Sequence, residues 1–167
     1  MANQQLIDLL KQGVAAWNKW RQENVSVEPD LNEADLSDTN LRGANLSRVN
    51  LSGADMRKAD LTQADLSWSI LVGVNLSTAI LIRANLSNSD LSGADLREAD
   101  LTEANLTKTT LLDAILIGAN LSRANLTDAD TTGAYLRGAN LRGAIITPEQ
   151  LNKARSPDDL PDEYMLQ

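Results

Sequence analysis

The chain has neither cysteine nor histidine. Without thiols there is no disulfide framework and no thiolate nucleophile. Without imidazoles there is no triad base and no ordinary zinc site. Long apolar runs are missing too. Residues 1–13 lack a basic leader and carry only short apolar stretches, so neither a signal peptide nor a membrane span is expected, and a cytoplasmic location is the default expectation. No glycine-rich phosphate loop follows a strand and opens a helix, and the five lysines, Lys11, Lys19, Lys58, Lys108 and Lys153, have no catalytic context. No catalytic, cofactor-binding or metal-ligating residue is therefore assigned, and a non-enzymatic protein is expected.

Positive charge is also in short supply: the formal net charge is −8 over 167 residues. Residues 1–29 sum to zero, residues 30–147 to −5 (15 acids, 10 bases) and residues 148–167 to −3. Such a chain is a poor direct ligand for nucleic acid, whose phosphates demand Lys and Arg.

What the chain does have is a repeat. Counting in fives from Leu31 to Ile146 passes 24 positions, of which 21 are Leu, the exceptions being Met56, Thr131 and Ile146. Two residues before each position stands Ala in 17 cases, and one before stands Asp in nine and Asn in nine. Internal repetition of this kind decides architecture ahead of local propensity. A helix is excluded, because a Leu every fifth residue advances by roughly 140° and makes no stripe. In an extended segment, however, Ala and Leu two apart face the same side while the Asp or Asn between them faces away. The two remaining residues must then turn the chain, and glycine recurs there at 43, 53, 73, 93, 118, 133, 138 and 143. Constant turning gives a tube with Leu on its axis and Ala where the wall is tight. A hydroxyl on that axis, as at Thr131, needs a backbone carbonyl or a water.

The units Ala94-Asp95-Leu96-Arg97-Glu98 and Ala119-Asn120-Leu121-Ser122-Arg123 resemble those of the pentapeptide-repeat proteins, and the resemblance runs over residues 29–148. It implies an all-β fold: a right-handed quadrilateral parallel β-helix with four units per coil, about six coils, and a length of about 29 Å at strand spacing. It also implies a bacterial source and one known activity class, in which the rod imitates duplex DNA and inhibits a type II topoisomerase (gyrase). Against that reading, Asp60, Asp100 and Glu103 alternate with Arg42, Arg83, Arg123 and Arg142 along one face, which breaks any phosphate-like stripe.

Three segments follow: residues 1–28 as an amphipathic helix and connector, 29–147 as the array, and 148–167 as a short helix and acidic tail. Over residues 4–23, Leu6, Leu10, Val14, Trp17 and Trp20 fall at helical spacing with Asn3 as N-cap. This helix is read as a cap over the first coil, with a homodimer surface as the alternative. Thr147, Pro148 and Gln150 form an N-cap, a first-turn proline and a capping-box glutamine, predicting a two-turn helix. The tail beyond Ser156 supplies Leu160, Tyr164, Met165 and Leu166, which could fold over one side.

Outward apolar residues are the exception in a polar array, and they mark the candidate interaction patches. One is Trp68, Ile70 and Val72; another is Leu112, Ile115 and Ile117 with Tyr135 one coil beyond; Ile80 and Ile82 lie opposite the first. Each is either a partner site or the bed of a tail. The function expected is that of a rigid protein-protein interaction module with an unknown protein partner and no cofactor.

Overall fold

The computed structural model describes residues 3–155. From Asp30 to Ile145 the chain winds in coils of 20 residues, each outward Asp or Asn position bridging in parallel to the one 20 residues on. The bridges align in four columns, beginning Asp30↔Asn50, Asp35↔Asp55, Asn40↔Asp60 and Asn45↔Asp65. We call these faces one to four in that order. The all-β expectation needs one correction here. Among the described residues the ladder consists of single bridges and holds no extended strand, because two residues of every five are spent on a corner and three are too few.

Every corner has the same backbone. The second corner residue has positive φ at all positions from Glu33 to Gly143, eight glycines and fifteen other residues. Where Leu31 accepts a bond from the Ala34 amide at 3.1 Å, only the third residue of the turn, Glu33, is left-handed. That is a type II turn, and it costs a non-glycine residue about 1–2 kcal/mol. The cost is most pointed at Thr78 (φ 57°) and Trp68 (φ 59°), one β-branched and the other bulky.

The Asp or Asn before each Leu is more than an outward polar residue. Its Oδ1 accepts the amide of the first corner residue, as in Ser37 to Asp35 at 3.1 Å and Thr102 to Asp100 at 3.0 Å, and commonly the hydroxyl there as well. That amide lies outside the ladder, so the carboxylate or amide side chain satisfies it locally. Neighbouring coils are tied by the same slot: Asn105 Nδ2 donates to Asn85 Oδ1 at 3.0 Å and Asn140 Nδ2 to Asn120 Oδ1 at 3.1 Å.

The axis is filled by Leu from Leu31 to Leu126 and lined by Ala, all essentially inaccessible to solvent. Each buried Leu contributes about 2 kcal/mol by removing its side chain from water. The polar deviations are satisfied by nearby backbone. Ser69 and Ser89 donate to Leu66 and Leu86 carbonyls at 2.5 and 2.6 Å, and Thr131 donates to the Gln150 carbonyl at 2.6 Å.

Among the described residues three helices close the ends: α1 (Gln4–Lys11), α2 (Val14–Glu23) and α3 (Pro148–Lys153). The single helix expected over 4–23 is thus two. Gly13 has φ 127° and ψ 157°, a positive-φ conformation open to glycine that breaks the helix, and Val14 restarts it. Asn3 caps α1 as expected, accepting the Gln5 amide. α3 carries the complete capping box of Thr147 and Gln150.

The ends of this coil are chemically unlike. Within each unit the Leu amide and the second corner amide point toward the C-terminal end, as in Leu36 to Asp55 O (2.7 Å) and Asp38 to Arg57 O (2.8 Å). The carbonyls of the Asp/Asn slot and the first corner residue point the other way. The N-terminal rim is therefore rich in acceptors and the C-terminal rim in donors. α2 meets the first with donor side chains: Trp17 Nε1 to Asn45 O (2.7 Å), Asn18 Nδ2 to Gly43 O (2.9 Å) and Arg21 Nη2 to Ser47 O (2.7 Å). Asn18 Oδ1 also accepts the Asn45 amide at 2.8 Å. α3 meets the second with carbonyls of its last turn: Lys153 O receives the Gly133 amide, and Gln150 O receives Thr131 Oγ1 beside the Ala154 amide.

Candidate functional site

Trp68, Ile70 and Val72 lie side by side across face one in a single coil. The Asp/Asn slot puts Ile70 outward in the bridge column Asn50, Ile70, Asp90, and the corners on either side carry Trp68 and Val72. All three are exposed, Trp68 at 61%. Beside them a cleft of about 340 Å³ is lined by Glu28, Arg48, Trp68 and Ile70, so the apolar stripe ends at one side in charges of both signs. Leu112 stands two coils further on at the Val72 corner and is exposed.

The second expected patch is not an open one. Ile115 and Tyr135 bridge one another on face two, yet each is only 9% exposed, and Ile117 is half-buried. After α3 the chain returns to this face. The Arg155 amide bonds Ala134 O (2.9 Å) in a Tyr135↔Arg155 bridge, and its guanidinium lies 5.0 Å from the Tyr135 ring centre. Leu112 alone of that group remains on the surface. The tail residues Leu160, Tyr164, Met165 and Leu166 lie outside the described residues.

The N-terminal helices spend their apolar side on the first coil. Leu10 and Trp17 are buried; Leu6, Val14 and Trp20 are half-buried against the same core. This is what a cap requires, and it removes Leu10 and Trp17 from any dimer surface. The rings of Trp17 and Trp20 sit 5.4 Å apart and tilted. Between the helices and the first coil a cleft of about 450 Å³ is lined by Leu10, Gly13, Val14, Leu36 and Leu41, with Lys11 and Arg42 among its polar members.

Sequence reasoning missed Asn18 and Arg21. Arg21 is buried, with Nη1 on Val27 O at 3.1 Å, and burial pushes its guanidinium below the ordinary value. The available signal was a polar pair on the Trp17 side of α2, where a simple amphipathic helix has no reason to place it.

Several charges on the rod are paired locally. On face three and its corner, Arg42 pairs with Asp60 (3.1 Å), and Glu103 pairs with both Arg83 (2.7 Å) and Arg123 (3.4 Å). The Arg83 and Arg123 guanidiniums hold the Glu103 carboxyl below the usual carboxylate range. Arg57 does the same for Asp55, and the Ser37 hydroxyl for Asp35. At Asp60 partial burial pushes upward, but the Thr62 and Arg42 bonds prevail and the net direction is down. Among the described residues no group of three or more acids could hold a metal ion, and no helix is long and apolar enough to cross a membrane.

The geometry defines a class, a four-sided solenoid of five-residue units, here carrying an exposed apolar stripe at Trp68, Ile70 and Val72. The pentapeptide-repeat sequence profile matches in eight copies over residues 30–67, 59–97, 94–130 and 119–147, and the chain belongs to the pentapeptide repeat family. Among solved structures it is similar to the pentapeptide repeat protein Rfr23 of the cyanobacterium Cyanothece 51142, at 29% identity over 82% of this chain and 97% of that one, with a TM-score of 0.54. It is also similar to HetL of Nostoc sp. strain PCC 7120, a protein involved in heterocyst differentiation regulation, at 32% identity over 80% and 75% of the two chains, with a TM-score of 0.26. A third is a pentapeptide repeat protein of the Arabidopsis thaliana thylakoid lumen, at 29% identity over 72% and 73%, with a TM-score of 0.37. A search of curated proteins finds no match.

Proposed function

We propose that this chain is a non-enzymatic, cytoplasmic scaffold, wound right-handed as its family is, that binds a protein partner through Trp68, Ile70 and Val72. The observation that carries this reading is Trp68 itself. A bulky aromatic side chain stands at a corner of the rod 61% exposed, which leaves a large apolar surface open to water. Trp is the residue type that most often dominates a protein interface, and Ile70 and Val72 extend its apolar area on a rigid support. The Arg pairs on Asp60 and Glu103 weigh against imitation of DNA, because they neutralise the acids a phosphate-like stripe would need.

The test compares three full-length proteins as bait in affinity capture from the source cells. Trp68→Asn with Ile70→Asn restores residues the repeat format favours, so the rod should melt at or above the wild-type temperature. Ile80→Asn, on face three, is the control. A protein retained by wild type and by the control but lost from the double variant is the expected result. Identical captures by all three would overturn the assignment of this surface.

A further inference from the structure

Ile70 is the one apolar residue in the face-one column. Asn50 and Asp90 lie one coil to either side of it, and Asp30 and Thr110 two coils to either side. Along the corner that carries Trp68, Arg48 and Asn88 stand one coil away in the two directions, and Glu28 and Lys108 two coils away. Glu28, Arg48 and Lys108 are exposed, and among the described residues none of them makes an ion pair. Glu28 and Arg48 border the same cleft as Trp68.

A coil of constant length fixes what this face meets when its partner is a copy of itself. With the two rods antiparallel, a twofold axis along the direction Trp68, Ile70, Val72 brings each residue lying a given number of coils before the stripe against the residue lying as many coils after it. The three apolar residues then meet their own counterparts. Glu28 meets Lys108, the Arg48 guanidinium meets the Asn88 amide, and the Asn50 amide meets the Asp90 carboxylate. One like-charged pair arises within two coils, Glu33 with Asp113, and Asp113 already holds Arg155 at 2.9 Å. Other arrangements are poorer. Parallel rods on the same face set Asp30, Asp90 and Asp130 each against its own copy, and the antiparallel operation about Ile80 on face three sets Asp60 against Asp100.

We propose, resting on the reading of the Trp68 stripe as the binding surface, that its partner is a second copy of this chain, bound face one to face one with the rods antiparallel. The apolar stripe supplies the centre of the contact, and the Glu28 to Lys108 pairs, formed twice by symmetry, set its direction and register. A single face of the rod is a small contact, so the dimer is a weak one, with a dissociation constant of about 10–100 μM.

Sedimentation equilibrium of the full-length protein at low salt tests this. Glu28→Lys and Lys108→Glu, each alone, place like charges together at both symmetry-related contacts and should weaken the dimer about tenfold or more, with the melting temperature of the rod unchanged. An equimolar mixture of the two variants should recover to within about threefold of wild type, because each mixed dimer restores both pairs. Wild type that stays monomeric up to about 500 μM, single changes without effect, or a mixture that fails to recover would overturn the proposal. A monomeric wild type whose stripe still captures a foreign protein removes only the second copy as partner. A dimer that survives Trp68→Asn with Ile70→Asn shows instead that the stripe is not the contact.

Discussion

The two ends of the rod are closed by opposite chemistry, and the difference shows what a solenoid end requires. At the N-terminal rim the coil presents carbonyls, and α2 answers with an indole, an amide and a guanidinium. At the C-terminal rim it presents more amides than carbonyls, and the six-residue α3 answers the Gly133 amide with Lys153 O while its Gln150 side chain donates to Leu126 O and Ala129 O. The acceptor-rich end needs long donor side chains and a large helical cap to carry them. The donor-rich end is met by something every helix already has, the unpaired carbonyls of its last turn. Covering the leucine axis is thus half of the task, and matching the polarity of the rim is the other half.

That asymmetry can be broken most forcefully at Trp17, which is fully buried and bonded to Asn45 O. Trp17→Ala should cost about 3–5 kcal/mol in urea unfolding, through the cavity and the orphaned carbonyl together. At the other end the counterpart is Gln150, whose Nε2 donates to Leu126 O (2.7 Å) and Ala129 O (2.8 Å). Gln150→Ala should cost about 1–3 kcal/mol, because the Ala129 carbonyl loses this donor and the Leu126 carbonyl keeps only the Ala129 amide, without a comparable cavity. Equal losses at the two sites would mean that the ends are not held differently.

Away from both ends the rod should respond to backbone strain alone. Thr78→Gly, at a corner with φ 57°, should raise stability by about 0.5–1 kcal/mol in the same assay, since glycine has no penalty there beyond its greater freedom when unfolded. A loss would show that the Thr78 hydroxyl, 2.7 Å from Ser77 O, is worth more than the strain.

The smallest effect expected is that of mild acid. Asp35, Asp55, Asp60, Glu103 and Asp130 all have carboxyls held below their ordinary values. A depressed folded-state value means stability that is complete above the unfolded pKa and lost as pH falls through the folded one. With no histidine to titrate, the melting temperature should stay flat from about pH 8 to pH 5 and fall only below roughly pH 4. A midpoint near pH 6 in a thermal-melt series would contradict this.

The core was legible because its rule is local. Ala, one polar residue and Leu fix a facing direction within three residues, and repetition leaves no room for another register. The capping box of α3 was legible for the same reason, since Thr147 and Gln150 are three apart. The cap at the other end was not, because Trp17 and Asn18 bond to residues 28 and 25 to 27 positions away. The helix break at Gly13 was hidden by apolar spacing that continues across it. On the candidate surfaces, sequence identified Trp68, Ile70 and Val72 as outward and left open whether they are covered. It could not distinguish them from Ile115 and Tyr135, which share their slots but lie where the chain returns through Arg155.

The opposed rims have a consequence for crowded solutions. A tube with donors at one mouth and acceptors at the other fits its own copy end to end: shifted by six turns, the Leu141 amide stands where it would meet an Asn40 carbonyl, and growth could continue without limit as a filament. The caps forbid it by position as well as by covering. α2 bonds to Asn45 and Ser47, and α3 to Leu126 and Ala129, in the same angular sector of the tube. Two molecules approaching mouth to mouth collide helix against helix before their ladders can join, and the rod stays at a fixed length.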